Sequence, residues 1–520
     1  MTETAQDFDY VVVGAGTAGS VLAARLSRDP DVQVLLIEAG QAEGPPAMAV
    51  PGAWFTLWGG EVDWGFRTVA QTGLNNREIV YPRGKVLGGS SAINAMMHVR
   101  GHPAALDAWE VRGWGSADLL PYFRRSENTE GLDPAYRGTE GPVRPRPVDA
   151  PHPASRAAFD AFRDLGIPAS DDLNGAHPEG VTWTELTAAD GVRQSAADAY
   201  LTPAAGRPNL TVATDTLVVR LTFSGDRCTG VRYVRGGVES EARAGREVVL
   251  SAGAVGSPHL LQLSGVGPAD MLRAHGIEVV RDVPGVGTNL SDHPVGVATY
   301  AADLTPGDSN HIDVFAAVRS SEDVPRPDLH LFFMDVPLAP PGLASGYTMG
   351  VGLLSPYSRG SVTLLSGAPD VAPAIDPGFL TDRRDVDRMT AGLRQARRAG
   401  GSKALGPWRD HEVLPGPALR SDDDLHAYLR EAVISYCHTG GTCRMGTDAA
   451  AVTDENLRVR GIEGLRVVDA SIMPTLPEAN TNATVLAIAE KAADLMTGTS
   501  PDSEIRVRNQ DRRRSQGLDW

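Results

Sequence analysis

The sequence predicts an α/β fold in which a Rossmann-like dinucleotide-binding unit is combined with a second domain built on an antiparallel sheet. The first observation is the segment 10–40, where a buried strand, three spaced glycines, a helix, a second buried strand and an acidic residue follow one another. The second is the block from about residue 302 to 433, where apolar runs such as Leu329–Met334 indicate antiparallel strands followed by helices. A length of 520 residues is sufficient for two or more domains.

The glycines of the first segment have the spacing G-x-G-x-x-G. Gly14 permits a tight turn, Gly16 lets the backbone approach a pyrophosphate, and Gly19 lets the helix pack closely on the strand. The N-terminus of the helix offers free N–H groups to that pyrophosphate. Glu38 follows the glycines by about 20 residues, where an acid can accept hydrogen bonds from a ribose. The segment therefore predicts a dinucleotide site, and a Rossmann-like unit without a ligand is the alternative.

Composition and charge exclude several classes of protein. Hydrophobic residues make up 42% and charged residues 22% of the chain, as in ordinary globular proteins. The net charge of -17 argues against a nucleic-acid partner, and it leaves open whether the acidic balance selects a cationic substrate or only describes the surface. The three cysteines, Cys228, Cys437 and Cys443, form neither a disulfide framework nor a metal-binding pair, so no metal is expected.

The same sequence shows no signal segment and no run of about 20 apolar residues, so we expect no membrane span and a cytoplasmic location. Residues 41–66 are rich in Pro, Gly and Trp and are predicted as a loop excursion. The tryptophans Trp54, Trp58 and Trp64 either line a pocket or anchor this loop. A Gly-Gly-Ser-Ser turn at residues 88–91 suits a backbone that lies against a flat ring.

Further along the chain, the pattern predicts a boundary in the Pro-rich residues 131–155 and a series of helices and strands. The predicted helices span residues 121–128, 154–165, 385–400, 422–433 and 482–496. Strands are predicted at residues 209–223, 230–234, 247–251, 329–334, 347–354, 361–365 and within 465–473. The tail from residue 499 carries five arginines and little apolar content, which predicts a disordered basic tail.

Five separated motifs together resemble the glucose–methanol–choline (GMC) flavin oxidoreductases. They are GAGTAG with Glu38, GKVLGGSSAIN from Gly84, GAVGSPHLLQLSGVG from Gly253, NLSDH from Asn289, and HTGGTCRMG from His438 with the downstream DASIMPTLPEANTNAT. The resemblance implies FAD as the cofactor and a discontinuous FAD-binding domain formed by residues 1–150, 205–303 and 437–498. It assigns residues 151–204 and 304–436 to an inserted α+β substrate-binding domain, and leaves 499–520 as the tail.

By motif position, the resemblance also implies which residues contact FAD. They are Gly14, Gly16, Thr17, Ala18, Glu38, Val86, Gly89, Asn94, Ala95, Val218, Asp469, Ala470, Asn480, Asn482 and Ala483. Some family members attach FAD covalently through a histidine that precedes the asparagine of the second motif. That place is Ile93 here, so non-covalent FAD is expected.

Oxidation of an alcohol needs a base for the hydroxyl proton and an acceptor for the hydride, and a histidine suits the first task because its pKa lies near neutral pH. His438 matches the catalytic histidine of the family and Asn480 its partner. The hypothesis is that His438 accepts the proton while Asn480 holds the alcohol oxygen and the hydride passes to flavin N5. Where choline-oxidising relatives have a tyrosine just before this histidine, the chain has Cys437, which weakens a choline assignment.

The resemblance implies an alcohol oxidase or dehydrogenase that converts a small-molecule alcohol to an aldehyde or ketone. A lyase of the hydroxynitrile type, which keeps FAD without net redox chemistry, is the main alternative. A photodecarboxylase and a non-catalytic flavoprotein are disfavoured by the presence of both His438 and Asn480. The sequence leaves open whether oxygen or another electron acceptor reoxidises the flavin, and a homodimer is one of the oligomeric states left open.

Overall fold

The structure, a computed structural model, describes residues 6–338 and 342–500, so the predicted tail lies outside the described residues except for its first two. The described helices are α1 (Thr17–Leu26), α2 (Pro103–Asp107), α3 (Ser116–Ser126), α4 (Pro153–Asp164), α5 (Gly253–Leu263), α6 (Ala269–Ala274), α7 (Arg383–Gly400), α8 (Asp422–Ala432) and α9 (Thr481–Thr497). The strands are β1 (Gln6–Val13), β2 (Val34–Ile37), β3 (Arg146–Pro147), β4 (Gly180–Trp183), β5 (Glu185–Leu186), β6 (Ala188–Ala189), β7 (Val192–Arg193), β8 (Leu210–Ala213), β9 (Thr216–Ser224), β10 (Arg227–Arg235), β11 (Val238–Leu250), β12 (Val266–Gly267), β13 (Arg281–Asp282), β14 (Thr288–Leu290), β15 (Pro294–Ala301), β16 (Val314–Val318), β17 (Leu329–Met334), β18 (Gly346–Leu353), β19 (Gly360–Thr363), β20 (Ala374–Asp376), β21 (His411–Leu414), β22 (Ile434–Ser435) and β23 (Leu465–Val467).

The first sheet is organised around β1 and has the order β8-β2-β1-β11-β10-β9. Strands β2 and β11 both pair with β1 in parallel, and β8 continues the parallel part beyond β2. The long strand β11 pairs in parallel with β23 near its end and antiparallel with β10 along its first half. Helix α1 leaves β1 through the glycine loop and packs against α9. This parallel core with its crossover helix is the predicted Rossmann-like unit.

The second sheet is antiparallel, with the order β21-β15-β18-β17-β16-β4, and β22 pairs with β15. Its side chains alternate between two faces, as the period of a strand requires. In β17, Leu331 and Phe333 belong to the core packed against helices α4, α7 and α8, whereas Phe332 and Met334 belong to a separate apolar cluster on the opposite face. That opposite face is turned towards the first sheet, so it can form one wall of a cavity between the two sheets.

The structure confirms the predicted fold class but differs from the predicted elements in several places. Helix α3 begins at Ser116 rather than at residue 121, and β11 begins at Val238 rather than at residue 247. Strand β15 belongs to the second sheet, so after β4 the chain returns to that sheet at Pro294, before the boundary predicted at residue 303. The strand predicted over 209–223 is two strands, because the backbone turns at Asp215, which has a φ of 52°. The strand predicted within 465–473 ends at Val467, and a short 3-10 turn capped by Asp469 follows it.

Candidate active site

A cavity of about 690 Å³ lies between the first sheet and the second. Its volume falls in the range of small-molecule and cofactor pockets. The lining includes His438, Asn480 and all but two of the cofactor residues expected from the sequence: Gly14, Gly16, Thr17, Ala18, Glu38, Gly89, Asn94, Ala95, Val218, Asp469, Ala470 and Asn482. The fold therefore brings together residues that are more than 400 positions apart in the chain.

Val86 and Ala483 do not line this cavity. Val86 is fully buried in a small apolar cluster with Leu57 and Val62, and its carbonyl accepts a hydrogen bond from Gly89 N–H at 2.8 Å. Ala483 lies in the first turn of α9 and packs into the core. Both residues stabilise segments that reach the cavity, and their predicted contact with the cofactor stays a prediction.

The glycine loop at the N-terminus of α1 has two kinds of glycine. Gly14 has a φ of 95°, and a Cβ added there would lie 2.6 Å from the Ser251 carbonyl oxygen, so the protein's own backbone requires this glycine. Gly16 is different, since the nearest atom to an added Cβ is Gly89 Cα at 3.9 Å. The packing of the described residues does not exclude a side chain at Gly16. Because glycine has no side chain, the cavity stays open beside the N-terminus of the helix. This feature fits a pyrophosphate at that place.

Glu38 lies at the end of β2 and is bound to the same loop. Its Oε2 accepts a hydrogen bond from Ala15 N–H at 2.8 Å, and its Oε1 accepts one from Gly40 N–H at 2.9 Å. Burial raises the pKa of this carboxyl above its usual value, although the two N–H groups act in the opposite direction. Glu38 therefore holds the loop in shape, and the hydrogen bonds to a ribose that the sequence suggested remain a prediction.

The polar end of the cavity is formed by His438 and Asn480. Asn480 Nδ2 lies 3.1 Å from His438 Nε2, and both residues line the cavity. Asn480 is the N-cap residue of α9, yet its side chain does not cap the helix. Its Oδ1 is buried and has no hydrogen-bond partner among the described residues. The asparagine side chain is thus directed to the histidine rather than to its own helix, where a capping role would be usual.

The second ring nitrogen of His438 contacts another histidine. His438 Nδ1 lies 3.0 Å from His293 Nδ1, and the two rings are nearly perpendicular. An amide nitrogen can only donate, so in this arrangement His438 Nε2 accepts from Asn480 and the proton of the neutral ring resides on Nδ1. That Nδ1–H donates to His293 Nδ1, which in turn carries its own proton on Nε2. One chain of hydrogen bonds therefore leaves a lone pair on His438 Nε2, the atom that faces Asn480.

The electrostatic surroundings keep both histidines neutral. Burial is the largest cause that lowers the pKa of His438 well below its usual value, and the neighbouring His293 lowers it further. Burial likewise lowers the pKa of His293 to about 3. A neutral imidazole with a lone pair on Nε2 is the form that can accept a proton near neutral pH.

A buried carboxylate fixes the backbone that carries His438. Asp292 Oδ1 accepts a hydrogen bond from His438 N–H at 2.8 Å, and its Oδ2 accepts one from the Ser435 hydroxyl at 2.5 Å. Cys437, between those two residues, has a φ of 65°, an unusual conformation for a residue with a side chain. Arg83 Nη1 donates to the Cys437 carbonyl oxygen at 3.0 Å. The short segment after β22 is therefore held from both sides, which orients the imidazole.

The sequence motifs assign no catalytic role to His293, although the structure places it in contact with His438. The sequence left open whether three tryptophans line a pocket or anchor a loop, and in the structure Trp54, Trp58 and Trp64 all line the cavity. His259 also lines the cavity, whereas His311 and His330 do not. The NLSDH motif was the available signal for His293, since it places a histidine directly after the buried Asp292.

Within residues 6–338 and 342–500, no group of three His, Cys, Asp or Glu side chains is arranged to hold a metal ion. In the same part of the chain, no helix is both long enough and apolar enough to cross a membrane.

The chain is similar to several known proteins over most of its length. Two family models described as GMC oxidoreductase match the chain, one over residues 8–295 and the other over residues 356–489. Mitochondrial choline dehydrogenase of Homo sapiens is 38% identical, with 96% of this chain and 91% of that protein covered. Oxygen-dependent choline dehydrogenase of Brucella anthropi is 38% identical, with 95% and 96% covered. The crystal structure of pyridoxine 4-oxidase from Mesorbium loti is 38% identical with a TM-score of 0.91, and the match covers 95% of this chain and all of that one.

Proposed function

Because the chain belongs to the GMC oxidoreductase family, whose members bind FAD, we propose that it oxidises a primary alcohol to an aldehyde with His438 as the catalytic base. The observation that carries the proposal is the pair formed by His438 Nε2 and Asn480 Nδ2, 3.1 Å apart at the polar end of the cavity. Choline and pyridoxine, the compounds in the names of two of the similar proteins, are both primary alcohols, and this favours a primary alcohol as the substrate.

The residues present fit FAD. The open position at Gly16 and the N-terminus of α1 suit the pyrophosphate, and the backbone of Gly89, Asn94 and Ala95 lies along the same cavity. FAD supplies the acceptor for the two electrons and the hydrogen that leave the carbinol carbon. Ile93 lines the cavity with an apolar side chain that cannot form a covalent link, in keeping with non-covalent FAD.

The chain's own residues perform the proton chemistry. When the alcohol binds, its hydroxyl replaces the direct hydrogen bond between Asn480 Nδ2 and His438 Nε2, and Asn480 Nδ2–H then donates to the alcohol oxygen. His438 Nε2 accepts the hydroxyl proton, and the positive charge that develops on the imidazole is shared with His293 through the Nδ1–H bond. The C–H bond of the carbinol carbon then breaks as the C=O bond forms. A positioned base of this kind contributes about 10²–10⁴-fold to the rate.

The proposal is tested by mixing the purified FAD-containing enzyme anaerobically with a panel of alcohols. An alcohol substrate bleaches the visible absorbance of the flavin and yields one carbonyl product for each flavin reduced. A lyase would cleave a hydroxynitrile and leave the absorbance unchanged, and that result would refute the proposed oxidation. Reoxidation by oxygen, compared with reoxidation by a quinone, then identifies the electron acceptor.

A further inference from the structure

The part of the cavity next to His438 is walled by large apolar side chains. Trp54, Trp58, Phe332, Met334 and Tyr436 all line the cavity and belong to one apolar cluster, which we call the aromatic pocket. Their rings contact one another: the Trp54 and Trp58 centroids are 5.1 Å apart, and those of Phe332 and Tyr436 are 5.6 Å apart. The Tyr436 ring in turn lies 4.3 Å from the His438 ring. The aromatic pocket therefore begins at the proposed base itself.

The aromatic pocket is rigid. Trp54 Nε1–H donates to the Asn310 carbonyl oxygen at 3.0 Å, which fixes the indole, and Phe332 is only 3% exposed. Phe332 and Met334 project from β17, where the alternation of the strand directs both to the cavity face of the sheet. A wall of this kind favours a flat apolar group that can contact ring faces, and aromatic groups satisfy this preference better than flexible chains of similar size.

No carboxylate belongs to the aromatic pocket. Among the described residues that line the cavity, the carboxylates are Glu38, Asp370 and Asp469. Glu38 is bound to the glycine loop, and Asp469 accepts hydrogen bonds from Gly253 N–H at 2.9 Å and the Ser257 hydroxyl at 2.6 Å. Both therefore belong to the first sheet's side of the cavity, away from the aromatic pocket.

Asp370 lies in the loop between β19 and β20, which is also joined to the first sheet. The Gly367 carbonyl of that loop accepts a hydrogen bond from Arg220 of β9 at 3.4 Å. The cationic groups that line the cavity are Arg83 and Lys85, and the charge of Arg83 is close enough to lower the pKa of His438. The buried carboxylate of Asp292 accepts a hydrogen bond from His438 N–H at 2.8 Å, so fixed charges of both signs lie near the base. Asp292 does not line the cavity, however, and a cationic alcohol in the aromatic pocket would lose its hydration without a carboxylate to contact.

We infer that the substrate is an uncharged alcohol whose hydroxymethyl group is attached to an aromatic ring, and that quaternary ammonium alcohols such as choline are poor substrates. This inference rests on the proposed alcohol oxidation. Aromatic faces attract a quaternary ammonium only modestly, and none of the described carboxylates lines the aromatic pocket to add to that attraction. An uncharged ring gains the same contact with Trp54, Trp58 and Phe332 and does not have to give up the hydration of a charge.

The test is anaerobic flavin reduction in the FAD-containing enzyme by four alcohols of matched size. Benzyl alcohol is compared with cyclohexylmethanol, and choline with its neutral isostere in which a quaternary carbon replaces the nitrogen. The expected order of kcat/KM is benzyl alcohol, then the two neutral aliphatic alcohols, then choline, with about a hundredfold between the first and the last. Choline reducing the flavin as fast as its isostere would overturn the inference and leave the proposed function standing. Failure of every alcohol, including a wider panel, would overturn both.

Two variants locate the effect in the aromatic pocket. Phe332→Leu should raise the KM for benzyl alcohol about three- to tenfold while changing the KM for cyclohexylmethanol less, because only the ring contact is lost. Phe55→Leu is the matched control, since Phe55 contacts Trp54 at 5.7 Å yet is 44% exposed and is not among the lining residues. Phe55→Leu should leave both KM values unchanged. Equal KM values in the Phe332 variant and the wild type would contradict the inference.

Discussion

Replacement of His293 by leucine should slow alcohol oxidation although His293 does not line the cavity. The substitution removes the acceptor of the hydrogen bond from His438 Nδ1–H, which is 3.0 Å from His293 Nδ1. Neither histidine is more than 8% exposed, so water cannot readily replace that acceptor. A buried donor left without a partner costs about 1–3 kcal/mol. The cost falls on the Nδ1–H tautomer, so the population shifts towards the Nε2–H tautomer, which has no lone pair for the alcohol proton.

The expected effect follows from this cost. About 1.4 kcal/mol corresponds to a tenfold change in an equilibrium, so the rate constant of flavin reduction should fall about ten- to a hundredfold. KM should change little, because His293 makes no contact with the cavity. His293→Gln is the matched variant: its amide oxygen can accept the same hydrogen bond, and it should recover most of the rate.

Rapid-mixing anaerobic reduction, normalised to bound flavin, measures both variants. Thermal unfolding of each holoenzyme serves as the control for folding. A leucine variant that is reduced at the wild-type rate would refute the tautomer argument, and so would a glutamine variant as slow as the leucine variant.

Two further predictions concern cofactor binding and pH. Gly16→Ala should bind much less FAD, because the added Cβ enters the proposed pyrophosphate position. Its apo-protein stability should be unchanged, because that Cβ meets no protein atom closer than 3.9 Å. Gly89→Ala, whose Cβ would lie 2.7 Å from Gly16 Cα, should lower both FAD binding and apo-protein stability. Flavin content after purification and apo-protein unfolding check this pair, and wild-type FAD content in Gly16→Ala would contradict the fit. Burial lowers the pKa of His330 to about 3, so between about pH 7 and pH 5 this histidine takes up a proton only in the unfolded chain, which destabilises the wild type. The free energy of unfolding of His330→Phe should therefore rise relative to that of the wild type by about 2 kcal/mol over this pH range. Denaturant unfolding at the two pH values measures the difference, and a difference that does not change with pH would be inconsistent with a neutral buried His330.

The sequence was sufficient to predict those parts of the fold that depend on the order of neighbouring residues along the chain. The strand, glycines, helix and acid of residues 10–40 predict the centre of the first sheet, and motif position pairs His438 with Asn480, which lie 3.1 Å apart in the structure. In β15 all eight residues are buried, so no alternation marked it as part of the second sheet. That explains why the chain enters this sheet earlier than its composition indicated.

The features that the sequence did not predict depend on contacts between residues that are far apart in the chain. The contact between His293 and His438 joins residues 145 positions apart, and nothing in the NLSDH motif specifies the partner of its histidine. In β17 both faces are buried and each carries a phenylalanine, so the sequence could not distinguish Phe332, which lines the cavity, from Phe333, which packs against the helices. The sequence predicts a role for Glu38 at the glycine loop, but its two hydrogen bonds to backbone N–H groups depend on the way the loop closes.

The most direct test of the central claim is the rate at which an alcohol substrate reduces the flavin in His438→Ala. His438 is buried beside Asn480, and its neutral ring is the proposed acceptor of the hydroxyl proton. The variant should retain bound FAD, be reduced normally by dithionite, and be reduced by the alcohol about 10²–10⁴ times more slowly than the wild type. Reduction of the flavin by the alcohol at the wild-type rate would contradict the assignment of His438 as the base.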